Sequence, residues 1–255
     1  MPVAADIYYH AYLGSEEGKR PPVVLIHGAG GTHLYWPSEI RRLPGYRVFA
    51  LDLPGHGKSS GRAEQSISGY TGSILEWLEA AGLHSAIFVG HSMGSAIALS
   101  LALEHPEHVL GLGLVGAGSR LRVDPALLEI TASSTTFHNA VRMVVERSFD
   151  AATPEQLTEL AAQRMAETRP SVLHSDFLAC NAFDETERIC EIHQPALMVC
   201  GAEDQMTPQR YSRFLTTCIP HSQLVVVPNA GHMVMLEQPQ AVATALSDFL
   251  AGIQY

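Results

Sequence analysis

The feature that most constrains the fold is a series of short, continuous apolar runs: Val23 to Ile26, Arg47 to Leu51, Ala86 to Val89, Val109 to Val115, Leu197 to Cys200 and Leu224 to Val227. Most are rich in β-branched residues, and each is followed within two residues by Gly, Pro, Asp or Asn. A strand with one solvated face alternates apolar and polar residues, whereas a strand covered on both faces reads as an unbroken apolar run. The runs therefore predict a parallel sheet sandwiched between helices. Helical stripes lie between them: Ile67, Tyr70, Ile74, Leu78 and Ala81, and later Val242, Ala245, Leu246, Phe249 and Leu250, the second opened by Pro239. The alternation predicts a doubly wound α/β fold. Asp6 to Leu13 is expected to add antiparallel edge strands, with Gly14-Ser-Glu-Glu-Gly18 as a turn.

The alternation breaks once. From Ser119 to Ile192 no strand-like run occurs, and Ala126 to Ile130, Ala140 to Ser148, Glu155 to Glu167 and Val172 to Asn181 read as helices, with Asp124-Pro and Thr153-Pro as start signals. The expected organisation is a core of residues 1–118 and 193–255 carrying a helical cap, 119–192. Ligands in open α/β sheets bind outside the carboxyl ends of the strands, so helices inserted there can cover a site.

Composition narrows the function classes. At 255 residues and 46% apolar, the chain can bury a full core. A net charge of −10 without a Lys/Arg cluster argues against nucleic acid and anionic lipid as partners. The start, MPVAADIYYH, lacks a basic region followed by an apolar run, and no stretch approaches membrane-spanning length, so a cytoplasmic protein with no membrane partner is expected. Cys180, Cys190, Cys200 and Cys218 are too few and too scattered for a disulfide scaffold, and Cys200 reads as a core residue. Nothing in the sequence speaks to oligomeric state.

The chemistry is carried by Gly90-His91-Ser92-Met93-Gly94, which follows one apolar run and precedes a helical stretch, Ser95 to Leu103. A serine at the tip of a sharp strand-to-helix turn exposes its Oγ, and only glycine flanks leave room for that turn. A serine hydroxyl needs a base to take its proton, and the base needs an orienting acid. His232 follows the last apolar run and Asp204 follows the one before it. Both therefore lie at the carboxyl edge with Ser92, in the chain order Ser, Asp, His. Glu203 and Asp124 are the competing acids. His105, His108, His193 and His221 read as surface or capping residues. The glycine-rich His27-Gly-Ala-Gly-Gly31 ends another strand and can turn backbone amides inward, so Ala29 N–H and Met93 N–H are the expected oxyanion donors. No lysine followed by serine or threonine makes it a phosphate loop.

With His27-Gly-Ala-Gly-Gly31, Asp52-Leu-Pro-Gly-His-Gly-Lys-Ser59, Gly90-His-Ser-Met-Gly94 and the pair Asp204 with Gly231-His232 in order, the chain resembles the α/β-hydrolase superfamily over nearly its whole length. The resemblance implies a sheet of about eight strands, a helical cap after the sixth, and a structural role for Asp52 to Ser59, with His56 a packing and hydrogen-bonding residue. Ser95 departs from the second glycine of many relatives. Ser92 excludes an aspartate nucleophile.

The resulting expectation is a serine hydrolase that cleaves carboxylic esters of small-molecule acyl substrates through an acyl-enzyme, with no metal or organic cofactor. Thioesterase, C–C bond hydrolase and aminopeptidase activities on the same residues are alternatives, and a non-catalytic ligand-binding receptor is the alternative of another class. Gly30, Leu34, Met206 and Met233 are candidate substrate-lining residues. Arg120 and Arg122 could meet a carboxylate or phosphate, and Asp176, Asp184 and Glu185 an ammonium. Solvated surface charges are the simpler account of all five.

Overall fold

The computed structural model describes residues 2–13 and 20–254, so the turn expected at 14–18 lies outside the described residues. Among the described residues the strands are β1 (Val3–Ala4), β2 (Ile7–Leu13), β3 (Val23–Ile26), β4 (Arg47–Leu51), β5 (Ala86–His91), β6 (Val109–Val115), β7 (Ala196–Gly201) and β8 (Ser222–Val227). They form one eight-stranded sheet in the order β1-β2-β4-β3-β5-β6-β7-β8. β1 pairs with β2, and β2 with β4, antiparallel; every other pairing is parallel. The six apolar runs fall on β3 to β8. From β3 the chain passes to β4 on one side, while β5 pairs on the other. The carboxyl ends of β3 and β5 therefore flank a topological switch point, where open α/β sheets hold their ligands.

The helices are α1 (Ser38–Arg41), α2 (Ile67–Ala80), α3 (Met93–Glu104), α4 (Pro125–Thr131), α5 (Phe137–Ser148), α6 (Glu155–Ala166), α7 (Pro170–Ala182), α8 (Gln209–Cys218), α9 (Val234–Glu237) and α10 (Pro239–Ala251). Local chemistry starts and stops them. Ser66 Oγ accepts the Gly69 N–H at the start of α2, and Gly82 past its end adopts φ +69°. Asp124 caps α4 ahead of Pro125, and α7 and α10 each begin at a proline.

Strand residues alternate between two cores. Val23, Leu25, Val48, Ala50, Ile87 and Val89 face a cluster that includes Ile40 of α1 and Leu246 of α10. Val24, Ile26, Phe49, Leu51 and Phe88 face another that includes Ile74 of α2, Ile97 of α3 and Leu215 of α8. Each fully buried aliphatic side chain contributes about 1.5–3 kcal/mol. Every residue from Met93 to Ala102 is buried, so α3 has no solvated stripe and is packed on all sides. Cys200 is buried in β7, and the four cysteines are free thiols. Helices α4–α7 lie in the chain between β6 and β7. Among the described residues no helix is long and apolar enough to cross a membrane.

Candidate active site

Ser92 stands between β5 and α3 at φ 52°, ψ −114°, a left-handed conformation that a side chain adopts only under constraint. A β-carbon at Gly90 would lie 2.1 Å from Gly94 O, and one at Gly94 would lie 2.2 Å from Ile26 O. Both flanks must therefore be glycine. Ser92 N–H donates to Val115 O at 2.9 Å, which ties the turn to the end of β6. Ser95, where a glycine was the alternative, is accommodated: its Oγ donates to Ser92 O at 2.6 Å.

Asp204 follows β7 and His232 follows β8. The two loops are in close contact, since a β-carbon at Gly201 would lie 2.1 Å from Gly231 O. His232 Nδ1 lies 2.9 Å from Asp204 Oδ2. Asp204 Oδ1 accepts the Met206 and Thr207 amides at 2.9 and 2.8 Å, and Thr207 Oγ1 donates to Oδ2 at 2.8 Å while lying 3.1 Å from His232 Nδ1. Burial raises the Asp204 pKa, but the His232 charge and hydrogen bond and the two Thr207 donors outweigh it, so the carboxyl titrates below its ordinary value. At Gly116, φ +58°, a β-carbon would lie 3.0 Å from His232 Cε1. Gly116 directly follows Val115, whose carbonyl holds the Ser92 amide, so this short stretch joins the serine turn to the imidazole.

Neither competing acid reaches His232. Glu203 is exposed, and Asp124 caps α4 and pairs with Arg147 at 2.9 Å. Sequence reasoning missed Thr207 and His91. His91 is buried, its ring centroid 4.8 Å from that of His232, and its Nε2–H donates to His232 O at 3.0 Å. Burial and the neighbouring His232 hold its pKa down to about 3. Its place beside the serine was the available signal, as was the short Asp204-to-Thr207 spacing that closes a side-chain turn.

The loop after β3 faces the same turn. A β-carbon at Gly28 would lie 2.8 Å from His91 Nδ1 and 3.2 Å from Ser92 Cβ. Gly28 O accepts from Gly31 N–H at 3.1 Å and from His27 Nδ1 at 2.8 Å, while His27 Nε2 accepts the Leu53 amide at 3.0 Å. That assigns His27 a single neutral tautomer, and burial together with nearby His56 lowers its pKa to about 4. Among the described residues the Ala29 and Met93 amides have no acceptor within the protein.

Asp176 corrects the surface-charge account given for it. It is fully buried, and it accepts hydrogen bonds from Gly30 N–H at 2.8 Å, from His56 Nε2 at 2.8 Å and from the Tyr70 hydroxyl. His56 is the hydrogen-bonding residue expected of it. Arg120, Arg122 and Asp184 are exposed and Glu185 is partly so, with Arg122 paired to Asp184 at 3.2 Å and Glu185 near Arg188 at 3.6 Å.

The candidate lining residues divide. Met206 is half-buried beside Asp204, and Met233 is buried with its amide on Ser148 O. Gly30 is engaged by Asp176, and Leu34 is 43% exposed on a short turn. A cleft of about 490 Å3 runs between Gly55–Gly61 and Arg164–Arg169. Among the described residues no group of three or more His, Cys, Asp or Glu side chains is gathered as a metal site.

A family model described as the alpha/beta hydrolase fold matches residues 21–239. A protein of Caulobacter sp. strain K31 named as a carbamate hydrolase, RutD, is 28% identical over 97% of each chain. Among solved structures, a thermophilic esterase superposes with a TM-score of 0.81 at 32% identity, covering 97% of this chain and 100% of that one. The enol-lactonase of Burkholderia xenovorans LB400 superposes with a TM-score of 0.89 at 23% identity over 96% of each chain, a likeness of fold.

Proposed function

We infer that this chain, which belongs to the alpha/beta hydrolase fold family, is a hydrolase that cleaves carboxylic esters of small acyl groups with Ser92 as nucleophile. The observation that supports this reading is that a strained, glycine-flanked serine is tied to Val115 while the next residue, Gly116, lies against a buried imidazole bonded to a carboxylate.

His232 Nε2 takes the Ser92 proton as Oγ attacks the carbonyl carbon. Asp204 keeps the proton of His232 on Nδ1 and stabilises the imidazolium. The Ala29 and Met93 amides receive the oxyanion; one such donor is worth on the order of 100- to 1000-fold in rate. His232 then protonates the departing alcohol. A water deprotonated by His232 attacks the acyl-enzyme, the acid leaves, and Ser92 recovers its proton.

Helices α4–α7, as a cap over this edge, would exclude bulk water, with Met206 and Met233 supplying apolar wall. Close packing of that segment on the loop after β3 supports a small substrate: a β-carbon at Gly30 would lie 2.8 Å from Leu173 Cδ1.

A fluorophosphonate probe and a short-chain nitrophenyl ester test the reading, with Ser92→Ala as control. Labelling at Ser92 and ester turnover are expected in the native protein and neither in the variant. No labelling and no turnover in the native protein would leave the receptor reading in its place. The same assay, run with esters graded by acyl length beside thioesters, aminoacyl amides and carbamates, ranks the bond cleaved; the relative named as a carbamate hydrolase brings the last class into the panel. A clear preference for another class would overturn the ester assignment while leaving Ser92 in place.

A further inference from the structure

Three carboxylates are buried among the described residues: Asp52, Asp204 and Asp176. Asp204 serves His232, and Asp52 is enclosed by the His33 and Lys58 amides and the His33 ring. Asp176 comes from α7, in the helical segment between β6 and β7, and reaches across to the loop after β3.

Gly30 N–H and Tyr70 O–H both donate to Asp176. His56 Nδ1 lies 3.0 Å from Pro54 O, which can only accept, and its Nε2 lies 2.8 Å from Asp176 Oδ2. Oxygen atoms thus face both nitrogens of His56. Burial lowers its pKa, but the Asp176 charge and hydrogen bond outweigh this and hold it above the ordinary histidine value. The groups around the pair are the His27 ring, 4.8 Å from that of His56, with Asp52, Tyr70, Tyr35 and Cys180. Desolvating two charges costs several kcal/mol per ion, so such a pair is weak evidence for stability and calls for another role.

Peptide geometry supplies that role. Ala29 lies between two planar trans peptides. In the first, Gly28 O is held by Gly31 N–H and His27, so Ala29 N–H, antiparallel to that carbonyl, points the other way. In the second, Gly30 N–H is held by Asp176. Gly30 O is held in turn by Thr168 Oγ1 at 3.0 Å, again from the helical segment. The peptide before Ala29 is thus held within its own loop, and the peptide after it by a carboxylate 146 positions from Gly30.

We propose that Asp176, with its partner His56, is a positioning residue for hydrolysis: it docks α7 on the loop after β3 and braces the Ala29–Gly30 peptide, and with it the loop that offers the Ala29 amide as oxyanion donor, while the helical segment is seated. This rests on the hydrolase reading above. Asp176→Ala removes the acceptor for Gly30, while Asp176→Asn keeps one oxygen for it, removes the charge and turns an NH2 donor toward the Tyr70 hydroxyl, which can rotate and accept.

With activity normalised to fluorophosphonate-titrated sites, kcat of Asp176→Ala should fall about 100-fold with KM within about threefold, and Asp176→Asn should retain activity within about tenfold of native. Imidazole nitrogen NMR should find His56 titrating above the ordinary histidine value in the native protein and lower in Asp176→Asn, and Gly30 amide exchange should accelerate in Asp176→Ala. Unchanged kcat per titrated site in Asp176→Ala, or a His56 titration that Asp176→Asn leaves in place, overturns the proposal. Native protein that labels and turns over esters while Asp176→Ala matches it refutes this role alone. Native protein that neither labels nor turns over refutes the hydrolase reading itself.

Discussion

Replacing Asp204 by asparagine exchanges one oxygen for an amide nitrogen at constant volume, so it isolates proton placement from packing. Oδ1 accepts two backbone amides, from Met206 and Thr207, and backbone amides can only donate. The asparagine must therefore keep its carbonyl on that side and place its NH2 where Oδ2 stood, facing Thr207 Oγ1 and His232 Nδ1. The hydroxyl can rotate and accept. The imidazole must either hold a donor against a donor, which costs about 1–3 kcal/mol, or move its proton to Nε2. Moving the proton is the cheaper course. Nε2 would then donate toward Ser92 instead of accepting from it, and general base catalysis would be lost, about 10,000-fold in kcat or about 5 kcal/mol of transition-state stabilisation. The assay is nitrophenyl ester turnover per folded protein, with thermal unfolding measured alongside. The exposed Glu203→Gln and Asp124→Asn should stay within about twofold of native. If Asp204→Asn keeps turnover within about tenfold of native, the assignment of acid and tautomer is wrong.

Gly94→Ala would place a β-carbon 2.2 Å from Ile26 O, forcing a shift of about 1 Å, which costs about 100-fold in acylation rate. Fluorophosphonate labelling of folded protein at an unaltered rate would refute it. Stability should peak near neutral pH. His27 and His91 are fully buried with pKa values of about 4 and 3, so below about pH 6.5 the unfolded chain takes up protons that the folded one refuses. Stability then falls with pH, by about 3 kcal/mol for His27 alone. The lowered Asp204 and Asp52 lose their contributions at still lower pH, while the contribution of the raised His56 is complete below pH 6.5 and fades as pH rises through its folded value. Urea midpoints that stay level between pH 7 and pH 4.5 would contradict the burial of two neutral histidines.

The sheet was legible because burial on both faces demands an unbroken apolar run, as in β3 to β7, and the edge strand β8 carries such a run although only Val227 of it is buried. β5 extends past its run through Gly90 to His91 because those residues continue the ladder with β6 while entering the serine turn. α8 escaped notice for the opposite reason: only Ser212 and Leu215 are buried, too little for a stripe. α1 and α9 are single turns, fixed by tertiary packing more than by local pattern. The pairing of Asp204 with His232 could be anticipated because each follows a strand at the carboxyl edge, the edge at which Ser92 also stands.

Asp176 was misread because its class was judged by residue type. Charged residues are seldom fully buried, and a helical aspartate is ordinarily solvated. The pattern around it says otherwise. Leu173, Asp176, Phe177 and Cys180 occupy one stripe of α7, and all four are buried. A carboxylate in the apolar stripe of a helix cannot be left unpaired, because an isolated buried charge is far more costly than a buried ion pair. The stripe therefore requires a cationic or multiply donating partner somewhere in the chain. It does not name one, since Gly30, His56 and Tyr70 lie on three separate elements whose convergence is a property of the fold. Position within a stripe, weighed ahead of charge, turns this aspartate from a surface residue into the group that ties the helical segment to the loop beside Ser92.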